Sequence, residues 1–285
     1  MATQTIAIGN QKGGVGKTTT SINLAAGLAW LEQRVLLIDL DPQANATSGL
    51  GIDKAPGASA YGPLMGQGSL EQHVRPTRVE RLELIPSDLE LASAEVDIAR
   101  GERHLHRLAH ALRPIHGSGR YDFILIDCPP SLGILTMNAM AAVKELLVPI
   151  QCEYYALEGL TLLMQVVDQL RRSGVNPGLG FVGVLMTMFD ARTNLAEQVV
   201  RDVRDYLGEC VFDTLIPRSV RISEAPSFGE PVTTYAAGSP GARAYLDLAR
   251  EVLDRKRRGY HFEVAWEEPP AEAAASAEPL PRSLA

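Results

Sequence analysis

A chain of 285 residues, 46 % of them hydrophobic and 21 % charged, holds enough apolar mass for one large α/β domain or two small ones. A formal net charge of −7 excludes a protein coated in basic surface, so any nucleic-acid contact must come from a local cluster. Absence of an N-terminal apolar leader, of any apolar run of about 18 residues and of paired C-x-x-C spacing at Cys128, Cys152 and Cys210 argues against secretion or membrane spanning and for a reduced, cytoplasmic setting. Apolar runs predict strands, in chain order, at Thr5–Ile8, Arg34–Asp39, Leu82–Pro86, Tyr121–Asp127, Glu145–Ile150, Gly180–Thr187 and Val211–Ile216, with a last candidate at Pro231–Tyr235. Several are continuous Val/Ile/Leu runs, as parallel strands covered on both faces require. Helical spacing predicts helices at Thr18–Leu31, Leu89–Ala99, Leu105–Leu112, Leu132–Ala142, Leu157–Ser173, Leu195–Leu207 and Gly241–Lys256. The alternation reads as a doubly wound, mostly parallel sheet flanked by helices, in a single domain over residues 1–258. Residues between Gly49 and Gly68 are rich in Gly, Ala and Pro and read as loop with a short helix. From Gly259 to Ala285 the chain is rich in Pro, Ala and Glu without periodicity, so a disordered C-terminal tail is expected. The basic run Arg255-Lys256-Arg257-Arg258 has an ordinary explanation as cations at a helix C-terminus, with a membrane or DNA contact as its rival.

The most informative segment is Lys12-Gly13-Gly14-Val15-Gly16-Lys17-Thr18, which follows a strand and precedes a helix. Glycines let backbone N–H groups face an anion, and the following helix adds about half a positive charge at its N-terminus. In this context Lys17 would reach the β- and γ-phosphates and the Thr18 hydroxyl would take a position on Mg²⁺. The usual G-x-x-x-x-G-K-[ST] pattern is broken, because Gln11 stands where the first glycine belongs and an extra cation, Lys12, follows it. That second ammonium exceeds what one triphosphate needs in its own pocket. One physical use for it is to reach a nucleotide held by another subunit.

Asp39 and Asp127 each end an apolar run, and Asp41 follows two residues after the first. In an open α/β sheet ligands lie beyond the carboxyl ends of the strands. Asp127 is therefore the candidate to hold Mg²⁺, directly or through water. Asp41 is the candidate to orient an attacking water, and Asp39 a candidate second metal contact. His104, His106, His110 and His116 lack a convincing metal spacing, and Tyr154 and Tyr155 suit either the core or the neighbourhood of a nucleotide. Cys128 after Asp127 invites comparison with iron–sulfur dimers, but the further cysteine motif such a cluster needs is missing.

Several separated blocks carry a family resemblance: Asn10–Thr20 (NQKGGVGKTTT), Asp39–Gly51 (DLDPQANATSGLG) and Asp127–Gly133 (DCPPSLG) resemble the ParA/MinD deviant-Walker P-loop ATPases. Cys152–Gly159, Thr187–Leu195 and Ile216–Ser227 narrow the resemblance to the Soj-like chromosome-partitioning branch. It covers about residues 3–257 and implies a slow ATPase that closes into a homodimer on binding ATP with Mg²⁺. Lys12 would cross to the partner's ATP; Gly13, Gly14, Val15, Gly16, Lys17, Thr18 and Thr19 would wrap the phosphates, and Asp41 would support hydrolysis. Pro217 would sit by the adenine with Ser219 nearby, where many relatives carry Asn. The resemblance further implies that the dimer binds double-stranded DNA of the nucleoid non-specifically through Arg192, Arg221 and, as a weaker candidate, Arg218. A ParB-type centromere-binding protein would trigger hydrolysis and release. Two rivals differ in class. A MinD-like division-site ATPase needs a C-terminal amphipathic membrane helix, and residues 259–285 offer only scattered Tyr260, Phe262 and Trp266 among prolines and glutamates. A sequence-specific DNA-binding regulator needs a reading helix, for which the four residues before the first strand leave no room.

Overall fold

Strands that are apolar throughout need cover on both faces, and the computed structural model, which describes residues 3–99, 104–153 and 156–263, shows how the chain supplies it. In chain order the elements are β1 (Gln4–Ile8), α1 (Lys17–Trp30), β2 (Val35–Asp39), α2 (Asn45–Gly49), α3 (Tyr61–Leu64), β3 (Arg75–Pro76), β4 (Leu82–Ile85), α4 (Leu91–Ala99), α5 (Arg107–Ser118) and β5 (Phe123–Asp127). There follow α6 (Ile134–Ala142), β6 (Glu145–Gln151), α7 (Ala156–Arg172), β7 (Gly180–Phe189), α8 (Asn194–Leu207), β8 (Val211–Pro217), α9 (Val220–Glu224), α10 (Val232–Tyr235) and α11 (Pro240–Arg258). The strands form one sheet in the order β3-β4-β2-β5-β1-β6-β7-β8, parallel except for β3 against β4.

Strand alternation divides the core in two. Ile124 and Ile126 of β5 face the layer built from α4, α5, α6, α7 and α8, whereas Phe123 and Leu125 face α1 and α11. The register sets the ends of the central strands level: Asp127 is opposite Ile8 of β1 on one side and Asp39 of β2 on the other. The doubly wound α/β architecture expected from sequence is the one observed, with helix and strand ends moved by a residue or a few.

Two expectations are corrected. Pro231–Tyr235 is not a strand: Val232–Tyr235 forms the short helix α10. Thr234 N and Tyr235 N both donate to Pro231 O, and Val232 N donates to the buried Asn23 amide oxygen at 2.7 Å, which takes these groups away from a ladder. Nor does the chain leave the fold at Gly259. Phe262 and Phe181 of β7 exchange both backbone hydrogen bonds, at 2.9 and 3.0 Å, so residues 259–263 strap the start of β7. The rest of the expected tail, 264–285, lies outside the described residues, as do Tyr154 and Tyr155. Strand β3 was not foreseen; its two residues include Pro76, which an edge strand tolerates.

Packing of α11 against the sheet explains half of the basic run. Arg255 is buried and donates to the carbonyls of Val182, Glu209, Cys210 and Val211 and to the Glu251 carboxylate, with its guanidinium 4.0 Å above the Phe212 ring. Lys256 Nζ donates to Asp122 O at 2.7 Å and lies 4.0 Å above the Phe123 ring. Both cations serve structure. Arg255→Leu strands several buried carbonyls and the Glu251 charge, so unfolding free energy in urea should fall by about 3–5 kcal/mol. Arg255→Lys should recover little of it, since one ammonium cannot reproduce the planar fork.

Candidate nucleoside-triphosphate site

The loop after β1 is shaped by neighbouring strands as well as by its glycines. Gly14 and Gly16 sit at φ +75° and +89°, a region L side chains resist, and Gly16 is the N-cap of α1. Asn10 staples the loop to β6: its amide donates to Pro149 O at 2.8 Å and its carbonyl accepts from Lys12 N at 3.0 Å. On the far side the Thr187 hydroxyl of β7 lies within 2.8 Å of Val15 O and 3.0 Å of Ile150 O. The loop is thus held between β6 and β7, with the first turn of α1 opening from it.

The two lysines part company. Lys17 is buried, and its Nζ donates to Lys12 O across the loop at 2.9 Å. Burial lowers its pKa, and the nearby carboxylates Asp127 and Asp41 work against that fall. Lys12 instead projects outward, 40 % exposed, with its Nζ 3.1 Å from Glu153 Oε2. Gln151 in turn donates to the other Glu153 oxygen.

The three aspartates converge as the spacing predicts, but their tasks differ. Asp127 is fully buried; one oxygen accepts from the Ser21 hydroxyl at 2.7 Å, and Oδ2 has no hydrogen-bond partner among the described residues. Burial and then the neighbouring Asp39 charge push its pKa up to about 8. An orphaned, buried carboxylate oxygen beside Lys17 and Thr18 is the donor a hard divalent cation takes, so Thr18 and Asp127 fit Mg²⁺. Both Asp39 oxygens accept hydrogen bonds: Oδ1 from Asp41 N at 3.1 Å, and Oδ2 from Thr47 N at 2.8 Å and the Thr47 hydroxyl at 2.7 Å. Its geometry is that of a group holding the loop after β2. Asp41, almost as buried, accepts from Gln43 N at 2.9 Å through Oδ1.

Pro217 and Ser219 lie at the end of β8, where Pro217 is in register with Phe189 of β7, two residues beyond Thr187. Pro217 also lines a cleft of about 330 Å³ between β8 and α11. Ser219 is the N-cap of α9, and its hydroxyl makes no capping bond. Arg192, Arg218 and Arg221 are exposed at the same end of the sheet, and Arg218 N donates to Phe189 O at 3.0 Å, tying their two loops together. Arg192 forks onto Asp190 at 2.9 and 2.7 Å, which lowers the Asp190 pKa to about 2, and Arg221 pairs with Glu224 at 3.2 Å. Sequence reasoning missed Asn10, Ser21, Thr47, Ser87, Glu153 and Thr187. Ser21 alone had a local signal, one helical turn after Lys17.

A glycine loop between two strands, a buried lysine at a helix N-terminus and an orphaned carboxylate at the next strand end define a P-loop nucleoside-triphosphatase with a second, outward lysine. Residues 3–181 match the family described as "AAA domain". The chain belongs to the ParA/Soj family of chromosome-partitioning ATPases: it is 49 % identical over 253 residues to "Chromosome partitioning protein ParA" of Caulobacter vibrioides, covering 88 % of this chain and 94 % of that one. It is 50 % identical over 250 residues to "Chromosome-partitioning ATPase Soj" of Thermus thermophilus, covering 88 % and 95 %. Among solved structures, cobyrinic acid a,c-diamide synthase from Mycobacterium smegmatis with bound ADP and magnesium is 33 % identical with a TM-score of 0.79, over 92 % of this chain and 100 % of that one.

Asp127→Asn keeps the Ser21 hydrogen bond and removes the buried charge. A carboxyl whose folded pKa is raised binds its proton more tightly when folded, so it subtracts stability as pH rises from about 4 toward 8. The Asn variant should therefore match the parent near pH 4 and exceed it by at least about 1 kcal/mol near pH 8 in nucleotide-free urea melts. It should gain less than the parent from added Mg²⁺ and ADP.

Proposed function

We propose that this chain is an ATP-driven partition switch whose ATP-bound homodimer holds nucleoid DNA and lets it go after hydrolysis. The observation that carries the reading is the division of labour between the lysines. Lys17 is committed to the chain's own phosphate loop, while Lys12 stands outside it on a half-exposed ion pair with Glu153. Lys12 is thereby free to neutralise phosphate on a partner protomer, which makes closure depend on the γ-phosphate.

In this reading the loop N–H groups from Gly13 to Thr19 and the Lys17 ammonium bind the phosphates. Thr18 and Asp127 hold Mg²⁺, which spreads the charge of the transferring phosphoryl group. Asp41 orients the attacking water, Asp39 keeps the loop of Asp41 in place, and Pro217 and Ser219 flank the adenine. Arg192, Arg218 and Arg221 of both protomers meet DNA phosphates, and a ParB-type partner accelerates turnover by improving the placement of these groups. The protein works in the cytoplasm on the nucleoid, without a membrane.

Light scattering of the Asp41→Ala variant with ATP should give twice the protomer mass, and gel shifts should show that complex retained on DNA. Adding Lys12→Ala should return the mass to that of one protomer; a dimer that persists without Lys12 overturns the reading. For DNA, Arg192→Ala removes one phosphate contact per protomer. Affinity should fall for all sequences alike, and the slope of log K against log salt should become shallower by about two per dimer.

A further inference from the structure

We propose that Thr47 and Ser87 are positioning residues for hydrolysis, which fix Asp41 through a closed ring of buried hydrogen bonds. The inference rests on the reading of Asp41 as the group that orients water. The ring runs through four residues. Asp41 N donates to Asp39 Oδ1 at 3.1 Å. Asp39 Oδ2 accepts from the Thr47 hydroxyl at 2.7 Å. Thr47 Oγ1 accepts from Ser87 N at 2.9 Å, and the Ser87 hydroxyl donates to Asp41 O at 2.6 Å. The backbone of Asp41 is therefore gripped at its N–H by β2 and at its C=O by the segment after β4.

Each hydroxyl has one proton, and in the ring each proton has one destination. Thr47 gives its proton to Asp39 and uses a lone pair for Ser87 N; Ser87 gives its own to Asp41. Among the described residues Thr47 N is the one other donor to Asp39 Oδ2, and Asp39, Thr47 and Ser87 are fully buried, so no solvent replaces a lost member. The loop inside the ring is strained. Ala44 sits at φ +54°, a left-handed conformation that L residues avoid, and its N–H donates to the same Asp41 carbonyl at 2.8 Å. Such a conformation persists where its surroundings over-determine it, and the ring is that surrounding. Loosening it lets Asp41 drift from a water whose placement tolerates little error, while Lys17, Thr18 and Asp127 stay where they are.

The test crosses Ser87→Ala, Thr47→Val and Thr47→Ser with Asp41→Ala in the full chain, reading ATP turnover and affinity for a non-hydrolysable ATP analogue. Ser87→Ala and Thr47→Val should each lower kcat about five- to ten-fold, the scale of one buried hydrogen bond, with KM and analogue affinity within about two-fold. Thr47→Ser should keep the parental kcat. In the Asp41→Ala background Ser87→Ala should change nothing further, because it acts through Asp41. Unchanged kcat in Ser87→Ala, an equal loss with and without Asp41, or analogue affinity falling in step with kcat would each overturn the proposal. Parental kcat in Asp41→Ala alone would instead remove the reading of Asp41 on which it rests. If Thr47→Val does not fold, Ser87→Ala and Thr47→Ser carry the test.

Discussion

Asp39, Asp41 and Asp127 are buried together at the ends of neighbouring strands, with the Lys17 ammonium close to Asp127 and Asp41. Like charges so close in a water-poor place raise one another's pKa, and Asp39 and Asp127 are both displaced upward, chiefly by burial. A fold built for stability alone would avoid this arrangement. It is tolerable here because the surrounding sheet is packed with apolar side chains on both faces, and because Asp39 accepts three hydrogen bonds that favour its charged form. The unmatched acidity that remains sits on Asp127, beside Lys17 and Thr18. That is where a metal and a polyanion would together restore balance, so the nucleotide-free chain carries a deficit that substrate removes.

Much of this was legible in the sequence because the decisive contacts are local or follow from topology. The glycine loop, Lys17 and Thr18 form one continuous segment, and the aspartates are marked by ending apolar runs, which the parallel register then brings level. The residues that hold the site were not legible, because their partners are remote. Asn10 reaches a carbonyl 139 positions away, Thr187 one 172 positions away, and Ser87 the carbonyl of Asp41, 46 positions away. No spacing rule links such pairs; only the strand order does. Composition likewise misplaced the end of the fold. Residues 259–263, Gly-Tyr-His-Phe-Glu, read with the Pro- and Glu-rich stretch that follows, yet Phe262 completes a backbone pair with β7 and its ring lies against the Arg255 guanidinium.

In the proposed reading, the arginines would turn weak individual contacts into a switch. Arg192 and Arg221 are each held by a neighbouring carboxylate, so a DNA phosphate must compete with Asp190 or Glu224. Exposed pairs of this kind are weak in water, so phosphate contacts can displace them, though one protomer presents few of them against a net charge of −7. Two protomers brought together double the contacts on one surface, and the second set binds at the effective concentration the first creates. On the proposed function, DNA affinity would then follow association state more steeply than any single arginine would allow.

The same reasoning bears on Lys12. Its pair with Glu153 joins two side chains that are 40 % and 47 % exposed, a geometry worth little in water. Leaving Glu153 therefore costs the lysine little, whereas a γ-phosphate in a closing, water-poor interface offers a charge-assisted bond of greater strength. Lys17 has no such freedom, being buried and fastened to the loop it neutralises. One lysine is thus fixed in its own loop and the other is weakly held, and under the proposed function that asymmetry would let a single loop read its own nucleotide and, through Lys12, report on its neighbour's.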